Sequence, residues 1–483
     1  MFIGLDLGTS GVRALLVDAD ARVIDSADAA LDVAHLHPGW SEQDPADWIK
    51  AVRQALGELR ARHPEAIAQL KGLALSGHMH GATLLDDQGV VLRACMLWND
   101  TRSHAEAAQM DAQPEFRAIS GNIVFPGFTA PKVAWVQNNE PEIFSRLAKV
   151  LLPKDYLTFW LTGQTVSDVS DSAGTSWMDV AARAWSPELL DRAGLGMDQM
   201  PELAEGTDVV GPVRAGLAEE LGLPADVLVV AGGGDNAAAA CGVGALGEGD
   251  GFVSLGTSGV LLAARDGCVP RPESAVHTFC HAVPDRWYQM GVILAATDSL
   301  NWLAGITGQT AAELTQALGP TLHAPSTLRF LPYLSGERTP HNDSAVRGSF
   351  TGLDIAHTRE DMTRAVLEGV SFALRDSLEA LRSTGAQLDR VLAIGGGAQS
   401  SYWVELLATV LNLPIDLPEQ GEFGAALGAA RLAICGVTGA APDTVMTRPA
   451  IKHTVTPRAD LVAPYADAYA AFAATYPVVK ALP

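Results

Sequence analysis

The chain has 483 residues, of which 48% are hydrophobic, more than one apolar core usually organises, so two folded domains are expected. Its 56 acidic and 33 basic residues give a net charge of −23, which argues against a surface that tracks nucleic-acid phosphates or an anionic membrane. No apolar stretch is long enough for a membrane span, the opening MFIGLDLGTSG carries no basic region, and the five scattered cysteines, Cys95, Cys241, Cys268, Cys280 and Cys435, form no C-x-x-C pair. An unexported, cytoplasmic protein with reduced thiols is expected.

Phe2 to Leu7 reads as a strand, Gly8 to Gly11 as a glycine-punctuated turn and Val12 to Val17 as a second strand, with a third around Arg22 to Ser26. Asp44 and Pro45 then open a helix from Ala46 to Leu59, in which Trp48, Ile49, Val52 and Leu56 recur at helical spacing. Further on, the apolar strand Val227 to Val230 runs into Gly232-Gly233-Gly234-Asp235-Asn236 and an alanine-rich helical stretch. The hexapeptide LGTSGV at Leu7 to Val12 recurs identically at Leu255 to Val260, again between two apolar strands, Gly251 to Leu255 and Val260 to Ala263. Such a repeat implies two copies of one fold, divided in the glycine-rich run 242 to 251, with domains 1–244 and 245–483 and a cleft between them. His277, Cys280 and His281 lack a fourth ligand at metal spacing and read as a packed loop. A helix is expected from about Thr358 to Ser383, then a strand Val391 to Ile394. Beyond residue 442 the pattern is less regular except for a terminal helix around Tyr465 to Tyr476, whose stripe Tyr465, Tyr469, Phe472, Tyr476 reads as core.

Three glycine-rich turns follow apolar strands: Gly8 to Gly11, Gly256 to Gly259, and Gly395 to Ala398. Missing side chains let backbone N–H groups approach phosphate oxygens, and a neighbouring hydroxyl adds a donor. Each turn alone could be a plain tight hairpin; the repetition favours a phosphate site. No G-x-x-x-x-G-K-[ST] occurs, and no turn supplies G-x-G-x-x-G in a βαβ setting. Asp6, directly before the first turn, suits Mg²⁺ bound through water or a turn cap; its counterpart in the second copy is Ser254. Asp235, at a strand-to-helix turn, can accept a hydroxyl proton or serve as an N-cap.

The stretch Gly127-Phe128-Thr129-Ala130-Pro131-Lys132-Val133-Ala134-Trp135, continued to Asn138-Asn139, resembles the first signature of the FGGY carbohydrate kinases. Gly348 to Leu353, with Asp361-Met362 and Ala365 to Glu368, resembles the second. The resemblance covers nearly the whole chain. It implies an α/β fold of two actin-like, ribonuclease-H-type domains flanking an interdomain cleft, with ATP in the cleft and a sugar held mainly by the N-terminal domain. It makes Asp235 the general base and, with Asn236, Met79 and His80, a sugar contact. Asp6 becomes the metal-associated aspartate, holding Mg²⁺ through water. Thr9, Ser10, Gly256, Thr257, Gly396, Gly397 and Ala398 fall on nucleotide-binding positions. The motifs Gly77 to Gly81, Leu97 to Asp100, Leu152 to Tyr156, Gly234 to Asn236 and Tyr333 to His341 resemble those members that phosphorylate D-xylulose. Glycerol kinases carry Arg-Glu where this chain has Met79-His80. The implied reaction is ATP-dependent phosphorylation of D-xylulose to D-xylulose 5-phosphate. Its alternatives are a kinase for another pentulose or polyol such as ribulose or gluconate, a non-catalytic sugar sensor, and an actin-like ATPase. Trp98, Asn99, Asp100 and Lys132 lie in these motifs but outside the expected catalytic set. The implied partners are a small sugar and MgATP, with no nucleic acid and no membrane; a homodimer is left open.

Overall fold

The computed structural model describes residues 1–419 and 424–482. Two sheets are built on one plan. In the first, Phe2–Gly8, Gly11–Val17 and Val23–Ala30 form an antiparallel meander. Gly72–Gly77 and then Leu228–Gly234 continue the sheet parallel to Phe2–Gly8, and Val209–Pro212 closes the edge antiparallel. In the second, Gly251–Leu255, Gly259–Arg265 and Trp287–Ile293 repeat the meander, Val391–Ile394 and Ile415–Pro418 repeat the parallel pair, and Ile451–Val455 repeats the antiparallel edge. His277–Cys280 adds a further strand beyond that meander. The expected pair of α/β domains is therefore present.

Side-chain alternation along the strands explains how each sheet is covered on two faces. In Gly11–Val17, Val12, Ala14 and Leu16 pack with Val52, Leu56 and Leu59 of the helix Pro45–Arg62, whereas Leu15 and Val17 turn to the opposite core. That helix begins as the sequence predicts: Asp44 is the N-cap and accepts from the Ala46 N–H, and Pro45 occupies the first turn, where no donor is lost. In the second domain the helix Arg359–Ser383, opened by a Thr358/Asp361 capping box, packs against the sheet and the terminal helix Ala459–Lys480. Tyr465 and Phe472 of the terminal stripe are core, while the hydroxyls of Tyr469 and Tyr476 donate to Asp376 (2.7 Å) and Asp343 (2.8 Å).

Three expectations need correction. His277 to Cys280 is a strand, buried throughout, rather than a loop. The strand Ile451–Val455 lies in the part expected to be less regular; as a half-exposed edge with Lys452 and His453 it carries little apolar signal. The third strand is longer than expected, running to Ala30.

The two domains meet where backbone touches backbone. The helices Asp235–Val243 and Gly424–Thr438 cross so closely that a Cβ on Gly428 would lie 1.7 Å from the Ala238 carbonyl oxygen, and one on Gly242 would lie 2.0 Å from that of Gly424. The second of these helices also lies on the first sheet, where a Cβ on Gly4 would lie 1.9 Å from the Ala426 carbonyl oxygen. Only glycine permits these approaches.

Candidate active site

Parallel strands aim their carboxyl ends in one direction, and the connections leaving those ends build the site. In the first sheet Asp6 pairs with Ser76, and Gly77 with both Leu7 and Gly234, so Asp6, Met79 and Asp235 leave three adjacent strands at one level. Asp6 and Asp235 are close enough for their charges to interact. Burial, and then the charge of Asp6, push the Asp235 carboxyl up to about 7, while Asn236 opposes this by donating its N–H (2.6 Å) and its side-chain amide (2.8 Å) to Asp235 Oδ1. Burial likewise raises the Asp6 carboxyl, against the pull of Ser76 and Arg13. Asp235 is not the N-cap: Gly234 holds that position and Asp235 lies in the first helical turn. Its carboxylate is thus free of the capping task, and its shifted ionisation suits proton transfer near neutrality.

Met79 packs against Gly234, where a Cβ would lie 3.0 Å from Met79 Cγ, and its sulfur accepts from the hydroxyl of Tyr288, a residue of the second sheet, at 3.8 Å. His80 adopts a left-handed backbone, φ 72°, that non-glycine residues rarely take. It is braced from several sides. Its carbonyl accepts from Lys132 Nζ (2.8 Å) and the Thr129 hydroxyl (3.2 Å), its Nδ1 bonds the Gly174 carbonyl oxygen (2.8 Å), and its ring stacks on Phe128. Burial holds the imidazole at about 3, hence neutral at physiological pH. Lys132, itself lowered to about 7 by burial, also donates to the Gly127 carbonyl (2.7 Å). The family-motif lysine is therefore a brace for His80, a role the sequence alone left unassigned.

The other motif residues divide similarly. Trp98 donates its indole N–H to Thr9 Oγ1 (3.0 Å), which ties the first glycine turn to the Leu97 to Asp100 motif. Asp100 is buried and accepts from the Ser41 N–H (2.7 Å) and from Arg102, so it is structural, and Asn99 is exposed. Behind Asp235 lies a charged cluster that sequence reasoning missed. The buried Lys154 ammonium lies 2.5 Å from Asp155, 2.6 Å from Asp168 and 3.8 Å from Asp171. These three carboxylates could share a cation, and the ammonium already takes that place. Ser170, bonded to Asp168, accepts from the Gly234 N–H (3.1 Å), so the cluster holds the strand end from which Asp235 emerges.

The second sheet presents its own strand ends. The first GTSG turn closes as a two-residue loop between Gly8 and Gly11, and the second as a three-residue loop between Leu255 and Gly259. Gly256 and Thr257 are pinned through their carbonyls, which accept from the N–H groups of Thr297 (2.9 Å) and Ala296 (2.8 Å). Gly395, φ 91°, turns the third loop against Leu255. Beside it opens a cavity of about 750 Å³ lined by Gly396, Gly397, Thr297, Asn301, Gln316 and Ser400 among others. Gly396 and Gly397 were predicted from sequence; Asn301, Gln316 and Ser400 were not. Ala398 continues the third loop, and Thr9 and Ser10 belong to the hairpin of the first sheet, so the predicted nucleotide set is spread over both sheets. His281 binds the Ala245 carbonyl oxygen (3.2 Å) and the Val283 N–H (3.2 Å), and Cys280 donates to the Val180 carbonyl (3.4 Å), so both are engaged in packing.

A poised carboxylate at the strand ends of one sheet, and glycine turns beside a roomy cavity at those of the other, are parts suited to an alcohol and a phosphate ester. Comparison with known proteins agrees. Residues 1–242 match the N-terminal domain, and residues 251–437 the C-terminal domain, of the FGGY family of carbohydrate kinases. The chain is 47% identical to the xylulose kinase of Escherichia coli (strain K12) over 435 residues, 90% of this chain and 89% of that one. It is 44% identical to the xylulose kinase of Klebsiella pneumoniae over 486 residues, with both chains covered in full. The crystal structure of a xyloylose kinase from Brucella ovis superposes with a TM-score of 0.97 at 57% identity, covering 100% of this chain and 99% of that one. With both of its domains matched in succession, the chain belongs to the FGGY family of carbohydrate kinases.

Proposed function

We propose that the protein transfers the γ-phosphoryl group of ATP to the 5-hydroxyl of D-xylulose, giving D-xylulose 5-phosphate and ADP. The observation that carries this reading is the pairing of Asp235, raised to about 7, with Met79 and His80 at one strand-end level, in a chain whose relatives are named xylulose kinases. The first domain, residues 1–244, holds the sugar through Met79, His80, Asp235 and Asn236. The second, residues 245–483, holds the nucleotide, with the adenosine in the cavity beside Gly396 and Gly397. Thr9 and Ser10 face Gly256 and Thr257 across the phosphates.

Asp235 accepts the proton of the 5-hydroxyl as that oxygen bonds to the γ-phosphorus and the bond to the bridging oxygen of ADP breaks. Two carboxyl groups close enough for their charges to interact, each with its proton held more tightly by burial, favour a cation beside them, and the hard oxygens of Asp6 fit Mg²⁺ held through water. Bound there, Mg²⁺ supplies charge neutralisation at the phosphates. Backbone N–H groups of the glycine turns stabilise the spreading charge, and the braced His80 fixes the sugar's position.

The test is ADP release with D-xylulose, L-xylulose, D-ribulose, L-ribulose, glycerol and gluconate. D-xylulose should give the highest kcat/KM. A tenfold advantage (~1.4 kcal/mol) for another sugar would overturn the substrate and leave the kinase class standing.

A further inference from the structure

Arg338 lies in the Tyr333 to His341 motif, for which the mechanism above has no use. Its guanidinium is partly buried and has neither an ion pair nor a hydrogen bond to any described residue; it lies over the face of Phe125, 5.1 Å from Cζ to ring centroid, and feels the charge of the neighbouring Glu337. Its Nη2 lies 4.0 Å from where a Cβ on Gly127 would be, beside the Trp98 carbonyl, so a residue of the second domain reaches the sugar wall of the first. Desolvation lowers it to about 10, and its charge is felt by both His80 and His277. His277 is 1% exposed, and both its ring nitrogens lack a hydrogen-bond partner among the described residues. Its ring lies against Phe125, Phe128 and Phe279, the group on which His80 stacks. Unpaired donors drawn out of water are costly unless a ligand satisfies them.

A line of contacts leads from Asp235 through Gly234 and Met79 to His80 and on to this pair. Resting on the reading of the protein as a D-xylulose kinase, with the 5-hydroxyl at Asp235, we infer that Arg338 donates to the C2 carbonyl oxygen of the open-chain ketose. It thereby distinguishes a ketose from the corresponding polyol. The chemistry matches: a guanidinium only donates, and the carbonyl is the one sugar oxygen that only accepts. Neutral His277, donor at one nitrogen and acceptor at the other, suits an adjacent hydroxyl. The phenylalanine faces cover the carbon chain.

The experiment compares D-xylulose with xylitol, the same carbon chain reduced at C2. For Arg338→Met, kcat/KM with D-xylulose should fall about 10- to 100-fold, mostly through KM, as expected for loss of a charge-assisted hydrogen bond. The value with xylitol should move by less than about threefold, with KM for MgATP unchanged. Arg338→Lys, which keeps the cation and loses the fork, should recover part of the loss. Equal losses on both sugars, or no loss on either, overturn the inference. So does tighter binding of D-xylonate than of D-xylulose to the unmodified enzyme with that preference lost in the variants, since the group would then read an anion. If Arg338→Met does not fold, the unmodified enzyme still decides: xylitol used as well as D-xylulose excludes carbonyl recognition. An unmodified enzyme inactive on D-xylulose defeats the functional reading instead, and the comparison is then made with the ketose it accepts and that ketose's polyol.

Discussion

The two GTSG hairpins share six residues and differ in almost everything around them. The first closes on two residues, follows Asp6, and is tied within its own domain by the Trp98 indole. The second closes on three, follows Ser254, and is tied by Thr297 to the edge of the large cavity. One turn has thus been kept for its backbone while the residue in front of it was changed. A carboxylate, Asp6, precedes the first copy, and a neutral hydroxyl, Ser254, precedes the second; in the proposed mechanism only the first copy has an acid beside the reacting atoms.

The largest effect should come from the base on the first side. Asp235→Asn should leave sugar and ATP binding intact while kcat falls by about 10² to 10⁴; isothermal titration and steady-state kinetics together check this, and turnover within about threefold of the parent would refute the role. The same change should raise Tm by about 1–4 °C above neutral pH. The sign follows from the raised carboxyl: the folded state holds the proton more tightly than the unfolded chain, so stability present at low pH is lost as pH rises towards about 7, and an amide escapes that loss.

Next is the residue that distinguishes the hairpins. Asp6→Asn should lower kcat by about tenfold or more and raise the Mg²⁺ concentration for half-maximal rate. Because the Asp6 charge helps raise Asp235, it should also shift the acidic limb of the kcat/KM profile downward from about 7. A limb that stays in place would show that burial alone sets the Asp235 ionisation.

A smaller, opposite-sided effect is expected at the second hairpin. A Cβ on Gly397 would lie 2.8 Å from Leu255 Cβ and 3.2 Å from Thr297 Cγ2. Gly397→Val should raise KM for MgATP about five- to tenfold through overpacking and leave KM for D-xylulose unchanged. A change in both constants would mean the two sides are not separable. The smallest signal should be closure: X-ray scattering should give a lower radius of gyration with D-xylulose than without it, and identical profiles at saturation would exclude closure by sugar alone.

Much of this comparison was legible in the sequence, for physical reasons. A hexapeptide repeated between apolar strands announces the hairpins, an acid directly before a glycine turn announces Asp6, and one directly after a strand and a glycine run announces Asp235. Asn301, Gln316 and Ser400 carry no such punctuation, because their cavity is assembled from separate segments and ordinary polar residues. Lys154 lay in the motif Leu152 to Tyr156, but its pairing with Asp168 was silent, since a buried ion cluster is defined by three-dimensional proximity rather than spacing. The role of Lys132 required the backbone angle at His80, which no pattern of residue types encodes.

The glycine and alanine contacts between the helices Asp235–Val243 and Gly424–Thr438 have a mechanical consequence. With carbonyl oxygens where side chains would otherwise stand, that crossing has no compressible layer and resists sliding. The helix Gly424–Thr438 is held against the first sheet as well, at Gly4, so it is fixed on two sides. Asp235 sits one turn from Ala238 in the helix that makes this crossing. The group proposed to take the proton is thus anchored to the stiffest seam between the domains, and any closure has to come from elements away from it.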